Sequence, residues 1–156
     1  MEKFVHTRME DITPQIKGNE DLSYMYSKYA ALPKGMAKHS SVAFYELPPG
    51  KSNYPYHYHL TSEETFYIIS GTGMLKTPEG ERPVQPGDLL FFPAGKDGAH
   101  KLTNTSDSEP LIYIDFDTVA DPNVCVYPDS NKVGVYGSDF REIFRLEDSV
   151  DYYDRE

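Results

Sequence analysis

The sequence has no tryptophan and one cysteine, Cys125. A single thiol excludes an internal disulfide, which agrees with a reducing compartment. No stretch approaches the ~20 apolar residues that a membrane-spanning helix needs. The opening segment from Met1 to Arg8 also lacks the apolar run of a signal peptide. Basic charge is scarce: 15 Lys and Arg stand against 25 Asp and Glu, for a formal net charge of −10. Nucleic-acid binding rests on neutralising phosphates with Lys and Arg, so no nucleic-acid partner is expected. The same repulsion argues against an acidic membrane surface. These absences predict a cytoplasmic protein whose partner is a small molecule. There are no internal repeats and no low-complexity linker, and 156 residues suit one domain.

Aromatics and turn formers are plentiful. Thirteen Tyr and eight Phe favour strands, where flat side chains pack on a pleated surface. Twelve Pro and eleven Gly supply frequent turns. Residues 1–40 read as an irregular N-terminal arm, in which the pattern from Glu20 to Ala30 fits short strands or a helical turn equally. Residues 41–120 read as a barrel core of short strands. Ser41 to Leu47 stops at Pro48-Pro49-Gly50, and Thr65 to Ile69 closes at Gly71-Thr72-Gly73. Met74-Leu75-Lys76 precedes a turn through Gly80, Leu89 to Phe92 runs into Pro93-Ala94-Gly95, and Leu111 to Phe116 is the most apolar strand. Residues 121–156 read as a C-terminal extension, starting with strand-like Val124 to Tyr127 and ending in an acidic tail. Short strands punctuated at this interval predict an all-β sandwich or barrel.

The chemistry lies in four residues. Residues two apart in a strand share a face, so His57 and His59 aim together. Alone, such a pair is as readily a surface feature of an edge strand. Glu64, however, opens the next strand on the same face as apolar Phe66 and Ile68, and an inward carboxylate needs a counter-charge or a metal. Glu63 then faces solvent. His100 shares its face with Leu102 and Asn104.

The segment Gly50-x6-His57-x-His59-x4-Glu64-x6-Gly71 resembles the first cupin motif, with one extra residue before the first His. Gly87-x5-Pro93-x-Gly95-x4-His100-x3-Asn104 resembles the second, with two extra residues between Gly95 and His100. Fifteen residues separate Gly71 from Gly87, near the compact end for cupins. The extra residues at Lys96-Asp97-Gly98 are expected to lengthen a loop at the pocket mouth. The segment Tyr127 to Val133 is similar to the C-terminal part of a group of small bacterial cupins without assigned activity, with Asn131 where Gly is usual; Asn also tolerates left-handed backbone.

The resemblance implies a double-stranded β-helix, or jelly-roll barrel. It also implies that His57, His59, Glu64 and His100 hold one divalent transition metal: Mn, Fe, Ni, Co or Zn. Three imidazoles and a carboxylate suit any of these ions. Cupins with this ligand set include dioxygenases, decarboxylases and sugar-phosphate isomerases. The expected function is therefore a metal-dependent enzyme acting on a small oxygenated metabolite, or else a non-catalytic, metal-stabilised binding or sensing module. Counting strand alternation, the substrate pocket is expected to be lined by Tyr45, Met74, Phe92, Ile112, Ile114 and Phe116, and so to suit a partly apolar ligand. His39 and His6 read as solvated, and Cys125 as a small buried hydrophobe. A homodimer is expected, since two-fold dimers are the commonest oligomers. Tyr54, Tyr56 and Tyr58 would face away from the metal and pack on another β surface, within the barrel or across the dimer interface, where the N-terminal arm could also lie across the partner.

Overall fold

The computed structural model describes residues 4–156, so the first three residues of the N-terminal arm lie outside it. Its thirteen strands are, in order, β1 (Gln15–Gly18), β2 (Met25–Ala30), β3 (Ser40–Leu47), β4 (Tyr58–His59), β5 (Glu64–Ser70), β6 (Gly73–Thr77) and β7 (Gly80–Val84). There follow β8 (Leu89–Phe92), β9 (Lys101–Asn104), β10 (Leu111–Thr118), β11 (Asn123–Tyr127), β12 (Lys132–Tyr136) and β13 (Arg141–Arg145). No α-helix occurs among the described residues, and no helix is long and apolar enough to cross a membrane.

The strands form three antiparallel sheets: a six-stranded sheet β1-β2-β3-β10-β5-β8, a four-stranded sheet β13-β12-β11-β4 and a three-stranded sheet β7-β6-β9. Together they make the jelly-roll barrel. Alternation decides what fills it. On β3 the inward residues are Ala43, Tyr45 and Leu47; on β5, Glu64, Phe66 and Ile68; on β10, Leu111, Tyr113 and Asp115. Tyr45 stacks on Tyr113 with ring centroids 5.1 Å apart and planes 9° off parallel, and Phe66 packs on Tyr113 at 4.7 Å. Burying an aromatic side chain of this size contributes about 1.5–3 kcal/mol, so this aromatic layer is a main prop of the barrel floor. Gly71 turns the chain out of β5 with φ of 81°, and a Cβ there would collide with the Pro110 carbonyl.

Both flanking segments are more regular than the sequence implies. The arm forms a hairpin of β1 and β2 that extends the large sheet, with β2 pairing β3 in the same chain from Ser27↔Glu46 to Ala30↔Ala43. The C-terminal extension is a three-stranded meander whose β11 pairs β4, setting Cys125 opposite His59. Asn131 takes the left-handed conformation expected of it, with φ of 50° and ψ of 49°.

Candidate metal centre

Three elements bring four side chains to one point inside the barrel. His59 ends β4, His57 lies just before it and bridges His100, and His100 enters β9. Glu64 opens β5 opposite Phe92. His57, Glu64 and His100 are buried, at 5%, 6% and 1% exposure. Around Glu64 Oε2, the Nε2 atoms of His59, His100 and His57 lie at 3.2, 3.3 and 4.0 Å. The ligand atoms of His57, His59 and Glu64 all fall within 4.8 Å of one another, so the group can hold a metal ion.

The other ring nitrogens are already occupied. His57 Nδ1 donates to the Pro55 carbonyl, His100 Nδ1 to the Gly98 carbonyl and His59 Nδ1 to Asn123 Oδ1, each at 2.9 Å. A partner at Nδ1 orients the ring and directs Nε2 at whatever is ligated. Meanwhile His59 Nε2, His100 Nε2 and Glu64 Oε2 are buried and face one another without a further polar partner. Buried polar atoms left so are costly. A divalent cation between them would satisfy all three at once, and in this respect the residues fit a metal.

Electrostatics fit as well. Burial, with His100 beside it, pushes His57 down to about 3, and burial lowers His100. Burial alone would raise the Glu64 carboxyl, but the surrounding imidazoles outweigh it and hold it at about 2. Burial would also lower His59, yet its contacts with Cys125 and Glu64 prevail and raise it to about 11. A proton on His59 and a cation in the site would thus compete for the same carboxylate.

Phe92 lies face to face on His100, centroids 3.7 Å apart and planes 14° off parallel, so it backs this imidazole and does not line the cavity. The insertion Lys96–Gly98 forms a 3-10 turn on that same side, presenting its Gly98 carbonyl to His100. It positions the imidazole and is absent from the cavity rim, contrary to the loop expected at the pocket mouth.

A cavity of about 280 Å³ opens onto His57, His59 and Glu64. Of the residues expected to line it, only Tyr45 does. Met74 points out of β6, opposite buried Leu75, into a separate depression shared with Pro83 and Gln85. Ile112, Ile114 and Phe116 occupy the outer face of β10, because the inward row is Leu111, Tyr113 and Asp115. A shift of one residue in phase inverts a whole strand, and the most apolar row of β10 lies outside because Asp115 and Asp117 turn towards the cavity. Tyr54 is likewise turned inward, against Tyr26 at 5.0 Å and beside His57, so the expected stripe of tyrosines is not one surface. Tyr56 packs beneath Lys76.

The remaining lining mixes charged and amide groups, from Lys28, Asp115, Asp117, Asn123 and Arg141, with Tyr54, Cys125, Tyr127 and Tyr136. The cavity is thus partly apolar, as expected from the sequence, but its apolar surface comes from tyrosine rings and Cys125 in place of the aliphatic side chains expected there. Asp115 and Asp117 form, with Glu64, a second group of carboxylates within 4.8 Å. Burial raises the pKa of both, and each adds to the cost of charging the site. Their signal was legible, since Asp115 and Asp117 are two apart in an otherwise apolar strand and must share a face. Cys125 is buried as expected, but its Sγ lies 3.2 Å from His59 Nδ1.

Residues 43–117 match the family model described as Cupin domain. The oxalate-binding protein of Thermotoga maritima is 28% identical over 109 residues, spanning 65% of this chain and 84% of that one. Among solved structures, a sugar phosphate isomerase from Silicibacter pomeroyi DSS-3 superposes with a TM-score of 0.82 at 23% identity, over 96% of this chain and 98% of that one. The structure of a predicted oxalate decarboxylase from Thermotoga maritima gives 0.62 at 24% identity, over 75% and 99%. The first superposition takes in nearly the whole chain, hairpin and meander included.

Proposed function

From the premise that this chain belongs to the cupins, carrying their domain over residues 43–117, we propose that it is a metal-dependent enzyme acting on a small, oxygen-rich anion. One divalent first-row ion would be held by His57, His59, Glu64 and His100. The observation that carries the reading is the pinning of all three Nδ1 atoms, with the buried Nε2 atoms of His59 and His100 left unpartnered against Glu64. Such an ion supplies Lewis acidity, polarising an oxygen of the substrate. The chain supplies the rest. Lys28 and Arg141, from opposite ends of the sequence, meet at the cavity and offer cationic donors to a carboxylate or phosphate. Hydroxyls of Tyr54, Tyr127 and Tyr136 stand beside them. Asp115 and Asp117 face the same space as Glu64 and can take or give a proton, which favours decarboxylase or isomerase chemistry over dioxygenation.

A binding module remains the second reading, and the name of the oxalate-binding relative favours it. Calorimetric titration of the Mn-loaded protein with oxalate and with a sugar phosphate tests the proposal. We expect binding of at least one anion, weakened tenfold or more in Arg141→Ala and Lys28→Ala and abolished by chelation. Binding indifferent to chelation would overturn it. Product formation separates enzyme from binder, and Asp115→Asn should then stop turnover while sparing affinity.

A further inference from the structure

The end of β10 brings more negative charge into the barrel than the first centre uses. Asp115 and Asp117 are two residues apart, and Asp117 pairs with Glu64 across the ladder of β10 and β5. One carboxylate oxygen from each of Glu64, Asp115 and Asp117 lies within 4.8 Å of the other two. Glu64 thus belongs to two groups at once, with three imidazoles on one side and two aspartates on the other.

The aspartates have no counter-ion at hand. Asp115 Oδ1 and Asp117 Oδ1 are buried without a hydrogen-bond partner. Among the described residues no ion pair joins either of them to a Lys or Arg. The two cations of the cavity are engaged with aromatic rings: Lys28 Nζ lies 5.3 Å from the centre of the Tyr45 ring, and the Arg141 guanidinium 5.0 Å from that of Tyr136. Lys28 eases the charge of the aspartates only from a distance.

An independent observation points to a ligand beside them. Glu64 and Asp117 also border a separate cavity of about 200 Å³, together with His59 and Asn123. Ser62 lines that cavity, is 3% exposed, and its Oγ has no hydrogen-bond partner. Asp115 is buried likewise, at 4%. The carboxylates therefore stand between two polar cavities, each with room for water.

We propose that Glu64, Asp115 and Asp117 form a second metal site, for a hard divalent cation such as Mg²⁺ or Mn²⁺, adjoining the first centre through Glu64. The donor set selects the ion. Carboxylate and water suit Mg, Ca and Mn, whereas imidazole suits Fe, Ni and Zn. Mg²⁺ keeps several waters and takes one or two carboxylates plus substrate oxygens, which the two cavities and a bound anion supply. A cation here offsets two buried charges that are otherwise costly, and neighbouring ions can clamp two oxygens of one substrate. Ligated, the aspartates hold an ion; protonated, they move a proton, so the two states exclude each other. Held by oxygen alone, this ion should be the weaker of the two and leave on dilution. The site rests on the proposed function only through the shared Glu64.

The test takes the full chain carrying one Zn²⁺ and adds Mn²⁺, counting what binds by the loss of the free-ion paramagnetic resonance signal. Zn²⁺ outranks Mn²⁺ in affinity for a given site, so it keeps the first centre. The expected result is one further Mn²⁺ per chain with the Zn²⁺ retained. Asp115→Asn and Asp117→Asn should each weaken Mn²⁺ binding at least tenfold while keeping Zn²⁺, which also shows that they are folded. With Co²⁺ in place of Zn²⁺, spin coupling should broaden the bound Mn²⁺ signal, as adjacency requires. No bound Mn²⁺, or Mn²⁺ gained only as Zn²⁺ leaves, would overturn this site and spare the first. Binding that ignores both variants, or shows no coupling to Co²⁺, would place the ion elsewhere and overturn it equally. A chain that takes up no Zn²⁺ would overturn both sites together.

Discussion

His57, His59 and His100 each give one ring nitrogen to a protein acceptor, and this limits the protons that must leave when a cation arrives. His57 is held at about 3, His100 is lowered by burial and Glu64 is held at about 2, so all three are in their ligating form at neutral pH. His59, raised to about 11, still carries its second proton. Metal binding should therefore release about one proton per ion, and affinity should rise about tenfold per pH unit between roughly pH 5 and 9. The sign follows from competition: below about 11, every fall in pH favours the proton on His59. Calorimetry in buffers of different ionisation enthalpy measures the release, and a value near zero or three would refute this assignment. Asn123 accepts from His59 Nδ1 and so positions that imidazole. Asn123→Ala should weaken metal binding about 10–100-fold, whereas Asn123→Asp, which keeps the acceptor, should restore it. Glu64→Gln should weaken it too, with Glu63→Gln as the indifferent control, since Glu63 is exposed and Glu64 is buried.

Two elements set the geometry without supplying a ligand. The turn Lys96–Gly98 offers a carbonyl to His100, and a Cβ on Gly98 would collide with the Pro93 carbonyl. Gly98→Ala should therefore shift the turn and lower metal affinity, measured by competition with a chromophoric chelator, although no ligand is altered. Unchanged affinity would mean that Phe92 stacking alone orients the imidazole. The second element is β11, which brings Asn123, Cys125 and Tyr127 alongside β4. The convergence of His57, His59, Glu64 and His100 was legible because spacing and strand alternation report directly on which side chains share a face. The pocket was not, for two physical reasons. Its walls draw on β2, β3, β10, β11, β12 and β13, segments distant in sequence whose assembly no local pattern encodes. The phase of β10 was misjudged because a fully apolar outer row of Ile112, Ile114 and Phe116 looks like a core until its partner strands are known.

At the scale of the molecule, a chain of net charge −10 encloses a cavity that sets two cationic side chains, Lys28 and Arg141, beside its carboxylates. The account as a whole depends on the metal. Elemental analysis of protein purified without chelator is its most direct test. The account predicts close to one first-row transition ion per chain, lost when His57 and His59 are both replaced by Ala in a protein that remains folded. Protein that carries no metal and takes up none on titration would contradict it.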